Sequence, residues 1–174
     1  MSNVKFMNPF IEAANEVLLA EAEVATNRGN LTLHKSAFTS NAITVLISLV
    51  GQVQGVVLYG LSIPTGVELV SRMMGQEFDE FDDLAQSGIA ELGNVITGRA
   101  TIKLSQAGYT ANISPPTLIL GEGVKISTLD FSRIVVPLNT KIGDVAVHLA
   151  LRESKVGAED TDYIPVTSKP TIPS

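Results

Sequence analysis

The chain contains no cysteine, which excludes disulfide staples and thiolate metal sites. Charge is scarce too: Asp, Glu, Lys and Arg make up 17% of the 174 residues, and 12 basic against 18 acidic side chains give a net charge of -6. Nucleic-acid backbones are held mainly by clustered Lys and Arg, and no basic run interleaved with aromatics occurs, so no nucleic-acid partner is expected. Long apolar runs are missing as well. The most hydrophobic stretch, 42–59, carries Thr44, Ser48, Gln52 and Gln54 and is broken by Gly51 and Gly55. A membrane helix needs about 20 nearly unbroken apolar residues. Residues 1–14 lack the basic, apolar, small-residue order of a secretory signal. A soluble, cytoplasmic protein with no membrane partner is therefore expected. The two histidines, His34 and His148, have no ligand spacing around them, so neither a metal site nor a triad is read. His148 alternates with Val147 and Leu149 in a strand and is expected to face outward or accept a local hydrogen bond.

Hydrophobic residues make up 45% of the chain, enough for one core of domain size. Helical spacing of Phe10, Ile11, Ala14, Val17 and Leu18 predicts a helix over about 9–23. Leu31–Leu33 reads as a short strand. Alternation through Ile43, Val45, Ile47 and Leu49, then Gly51 and a returning run 53–61, predicts a hairpin. Ser62 and Pro64 open a middle helix that Gly75 closes. Asp82 or Asp83 opens a long helix running to Gln106, before Gly108. Three strand candidates follow: Tyr109–Ser114 with its continuation to Ile126, Ser132–Pro137, and Val145–Leu151, with a turn over Asn139–Asp144. Strands joined by hairpins, with helices grouped between them, indicate an α+β layered domain over residues 1–153. The Pro-, Ser- and Thr-rich stretch 154–174 is expected to form a flexible C-terminal tail.

The long helix is the most informative segment. At about 100° per residue, Ser87, Glu91, Asn94 and Gly98 share an arc of about 60°, while Ala85, Ile89, Leu92, Ile96 and Ala100 form the opposite, buried stripe. Gly93 and Gly98 each cost a helix interior about 1 kcal/mol relative to Ala. Such a cost suggests close approach, either by another protein or by the underlying sheet; Gly93, off the polar arc, favours the sheet. An exposed Glu and Asn three apart is by itself ordinary, and Glu12-x-x-Asn15 on the first helix is a second case.

The wider constellation is more specific. Ser87-x3-Glu91-x2-Asn94, followed at a distance by Pro116, resembles the signature of the CheC/CheX/FliY phosphatases of bacterial chemotaxis. Asp83-Leu84-Ala85, Glu91-Leu92-Gly93-Asn94 and Ser114-Pro115-Pro116-Thr117 carry the likeness. So do Asn8-Pro9-Phe10, the hairpin at Gly51 and Met73-Met74-Gly75. It covers about residues 4–152. A single motif, in the later half, resembles the CheX type; CheC proteins usually carry it in both halves of a pseudo-repeat. The resemblance implies a CheC/CheX-like fold, an antiparallel-rich sheet with two long helices and a shorter one packed on it. It also implies hydrolysis of the aspartyl phosphate of a CheY-like response-regulator receiver domain. Glu91 matches the glutamate that docks on a receiver lysine, and Asn94 the asparagine that orients the attacking water. Ser87, Gly98 and Pro116 are expected at the docking surface. No cofactor of the chain's own is implied, the Mg²⁺ belonging to the receiver, and a homodimer through sheet edges is expected, with the C-terminal strands as exposed edges.

The physical case stands beside the likeness. An acyl phosphate is already activated, so positioning and electrostatics suffice to hydrolyse it. A carboxamide carries donors and an acceptor and does not titrate near neutrality, which suits it to orient water rather than act as a general base. The alternative is a non-catalytic adaptor binding a receiver or flagellar switch component. A small-molecule-binding domain is weaker, since no convergent polar pocket is visible. Around Glu12 and Asn15 the pattern fails: Leu19 stands where the motif has Gly98, and Ala37 where it has Pro116. Pro115-Pro116 also reads simply as a strand terminator near a sheet edge.

Overall fold

A computed structural model describes residues 4–35, 38–126 and 132–154. The expected tail, from 155 onward, lies outside the described residues. Helix α1 (Met7–Ala22) is followed by short strands β1 (Asn27–Arg28), β2 (Thr32–His34) and β3 (Phe38–Thr39). The hairpin β4 (Ile43–Gly51) and β5 (Val53–Leu61) leads to α2 (Ile63–Met74) and α3 (Asp83–Gln106). The chain ends in β6 (Ala111–Ile113), β7 (Thr117–Leu120), β8 (Lys125–Ile126), β9 (Arg133–Thr140) and β10 (Gly143–Glu153). This is the expected α+β layering, with every strand pair antiparallel. No helix of the described residues is long and apolar enough to cross a membrane.

The caps explain the helix bounds. Ser62 accepts a bond from the Thr65 amide and Asp82 from the Ala85 amide, each satisfying an orphan donor of a first turn. Gly75 closes α2 in the left-handed region at φ 66°, which only glycine adopts without cost.

The sheet runs β1-β9-β10-β5-β4-β6, with β2 also on β9 and β7 also on β4. An internal two-fold is visible in this order. A helix, three short strands and a hairpin occur twice: α1 with β1–β5, and α3 with β6–β10. Each half's short strands edge the other half's hairpin, β3 pairs β8, and β5 pairs β10 at the centre. The helices cover one face. Ile43, Val45, Ile47, Val57, Tyr59, Val147, Leu149 and Val136 point toward Phe10, Leu18, Ile89 and Ile96 in one core.

Three expectations need correction. The strand expected from Tyr109 to Ile126 is three strands. Pro115 and Pro116 remove two donors, so β6 and β7 meet β4 separately, at Leu49–Gly51 and Ile43–Leu46. After β7 the chain turns through Gly121 and Gly123, both at positive φ, and β8 leaves the main sheet to pair with β3. The C-terminal strands are not a free edge either: β10 lies between β9 and β5, and β1 and β2 cover β9. Finally, His148 does not face water. It is 8% exposed, and its ring stands edge-on to Phe38 of the β3–β8 flap, centroids 4.6 Å apart. Alternation placed it opposite the helices correctly; the flap that buries this second face comes from distant sequence.

Among the described residues, His148 Nδ1 has no hydrogen-bond partner. Burial, with Arg133 and His34 nearby, pushes its pKa down to about 4. The unfolded chain therefore takes up a proton below pH about 6.5 that the folded chain resists. Stability from this group is full above pH 6.5 and is lost between 6.5 and 4, on the order of 3 kcal/mol in all. Urea midpoints of the wild type should fall across that window, and those of His148→Leu should fall less; parallel curves would refute the assignment.

Candidate functional site on the long helix

Helix α3 lies on the sheet along its small and apolar side. Ala85, Ile89, Leu92, Ile96 and Ala100 are all buried, as expected. It approaches the sheet closely at Gly93, where an added Cβ would stand 2.9 Å from Val45 Cγ1 and 3.4 Å from Tyr59 Cδ2. One turn on, Thr97 and Tyr59 share a buried hydroxyl hydrogen bond of 2.7 Å, and Thr97 also donates to the Gly93 carbonyl at 2.7 Å. Both hydroxyls are thus satisfied inside the core, and burial raises the Tyr59 phenol's pKa, keeping it neutral. Sequence reasoning missed this pair, because helical phase alone marks Thr97 only as buried. Beside it, a small cavity under α3 is lined by apolar side chains including Leu69 and Ile89; it is no polar ligand pocket.

That seating turns the opposite arc outward. Ser87 and Glu91 are exposed, and Asn94 and Gly98 are half-buried. Neither Glu91 nor Asn94 has a side-chain hydrogen bond or ion pair among the described residues. A Cβ on Gly98 would meet nothing within 4 Å, so its smallness serves no contact among the described residues. The structure therefore brings Ser87, Glu91, Asn94 and Gly98 onto one open face. Pro116 is not on the helix but half-buried in the break between β6 and β7. Both of those strands border α3.

The second Glu-Asn pair differs in its surroundings. Under the two-fold, α1 corresponds to α3, but its polar face is engaged within the chain. Lys103 bridges Glu12 at 3.7 Å and Glu16 at 2.9 Å, and Arg99 meets Glu16 at 3.0 Å. Those partners lower the Glu16 pKa and raise that of Lys103. Asn15 accepts a bond from Thr26. No cluster of His, Asp or Glu suited to a metal ion occurs among the described residues.

Residues 43–139, which include Glu91, Asn94 and Pro116, match the model of the family described as chemotaxis phosphatase CheX. The chain is 28% identical over 127 residues to the CheY-P phosphatase CheX of Thermotoga maritima, covering 72% of this chain and 82% of that one. A CheC-like superfamily protein from Shewanella sp. PV-4 superposes with a TM-score of 0.78 at 26% identity, over 86% of this chain and 99% of that one. CheX of Borrelia burgdorferi, solved as a CheX–CheY–BeF3–Mg²⁺ complex, gives a TM-score of 0.73 at 27% identity, over 87% and 100%.

The two glycines should respond oppositely to a side chain. Gly98→Ala should stabilise the fold by about 0.5–1 kcal/mol through helix propensity. Gly93→Val should destabilise it by about 1–3 kcal/mol by overpacking Val45 and Tyr59. Urea unfolding of both variants checks the pair of signs.

Proposed function

Since the chain belongs to the chemotaxis phosphatase CheX family, we propose that it dephosphorylates a CheY-like receiver with Glu91 and Asn94. The carrying observation is their placement on one open arc of α3, beside the space at Gly98, with no side-chain partner among the described residues. Glu91 docks on a cation beside the receiver's acyl phosphate. Asn94 enters the pocket and fixes a water in line with phosphorus, its carbonyl accepting from the water and its amide donating to a phosphoryl oxygen. The water oxygen bonds to phosphorus as the bond from phosphorus to the aspartyl oxygen breaks. Inorganic phosphate and a free carboxylate result, and the water's proton leaves to phosphate or solvent. Mg²⁺ resides in the receiver and draws charge from the phosphoryl oxygens. Ser87, Gly98 and the strand break at Pro116 border the docking surface.

Asn94→Ala should lower the maximal dephosphorylation rate about 100-fold while changing affinity for the receiver little. Glu91→Lys should weaken association about 10-fold or more by opposing like charges. The decisive measurement is phosphate release from several phosphorylated receivers of the same organism, with and without the protein. Docking without accelerated release would leave the adaptor reading instead, and an Asn94→Ala variant as fast as wild type would refute the mechanism.

The proposed assembly is a homodimer formed through the β1/β2 edge. Its support is the outer edge of β2, which pairs β9 on its other side among the described residues; Leu33 within it and Leu31 just before it are 58% and 40% exposed, and such edges recruit another strand. Sedimentation should show a dimer for the wild type and a monomer for Leu33→Lys; a wild-type monomer would rule the assembly out.

A further inference from the structure

The outermost arc of α3 carries more than the motif. Leu84, Val95 and Ile102 fall within about 40° of Glu91, on the flank away from Asn94. They are 52%, 38% and 60% exposed. Ser87, Gly98 and Ser105 complete the arc, so Glu91 is its one charge over more than five turns. A helix facing only water ordinarily concentrates its charges along the centre of its outer face. Here Arg99 and Lys103 lie to one side instead, held against Glu12 and Glu16 of α1. A charge-depleted row of apolar side chains around one carboxylate has the make-up of an interface core.

We propose that Leu84, Val95 and Ile102 are apolar anchors that seat the receiver domain on α3, to either side of the phosphate-directed Glu91 and Asn94. This rests on the catalytic reading above, because the row is continuous with those residues and shares their arc. Its span suits one domain. Leu84 to Ile102 covers about 27 Å of helix at 1.5 Å per residue, comparable with one face of a domain whose radius of gyration is about 13 Å. A second copy of this chain fits less well. A two-fold contact centred on the row would bring two Glu91 carboxylates together. The anchors contribute affinity and touch no reacting atom, so they govern KM rather than kcat.

The test uses the full chain and a receiver phosphorylated with a small acyl phosphate in Mg²⁺ buffer. Leu84→Gln/Ile102→Gln keeps helix propensity at exposed positions, and an unchanged melting midpoint verifies the fold. The double variant should raise KM about tenfold, leave kcat within about twofold, and sediment as the wild type does. Unchanged KM would overturn the proposal. So would a rise in KM accompanied by loss of a dimer, which would make a second copy the occupant. Asn94→Ala, assayed alongside, separates the two readings. If it is slow while the double variant keeps wild-type KM, the anchors alone fail. If it is as fast as wild type, the catalytic reading fails and the anchors lose their basis.

Discussion

The contact between Gly93 and the sheet sets the geometry of everything outside it. With no side chain at that position, the backbone of α3 settles against Val45 and Tyr59, and the Tyr59–Thr97–Gly93 hydrogen bonds fix the next turn. A helix held at one depth by packing and at one roll by buried hydroxyls presents one arc to solvent, and no other. Glu91 and Asn94 owe their direction to residues on the opposite side of the same helix. Precision of this kind suits positional catalysis, where a misplacement of about 1 Å costs about 100-fold.

The chain's chemistry follows from that economy of parts. An acyl phosphate needs little activation, and the receiver holds the metal and the phosphorylated carboxylate in the proposed reaction. The helix adds one carboxylate and one carboxamide at a fixed spacing. A buried pocket is unnecessary when the partner supplies its walls, and the cavity under α3 is lined by apolar side chains.

Where local chemistry decides structure, the sequence was legible. Ser62, Gly75 and Asp82 mark helix ends by side chains that satisfy or relieve the backbone at that spot, and the helical phase of α3 separates Ile89 and Ile96 from Glu91 and Asn94. Where distant segments decide, it was not. The β3–β8 flap over His148 joins residues nearly ninety positions apart, and periodicity cannot report a cover brought in from elsewhere. The run 109–126 misled because strand-like composition persists through Pro115 and Pro116, while partner choice changes there. The place of β10 at the sheet centre is a matter of topology, invisible to residue spacing. Leu84, Val95 and Ile102 lie on the same helical phase as the motif, but apolar residues scattered along an outward arc carry no local signal that sets them apart from ordinary surface residues.

The internal two-fold has a consequence for stoichiometry. Two equivalent helices lie side by side, yet one has its acids committed to neutralising the other's Arg99 and Lys103. The duplicated body is thereby an asymmetric tool, with one helix working as a brace and the other as a blade. On the proposed reading, each polypeptide therefore offers one docking helix, so that capacity would scale with copy number rather than with valency.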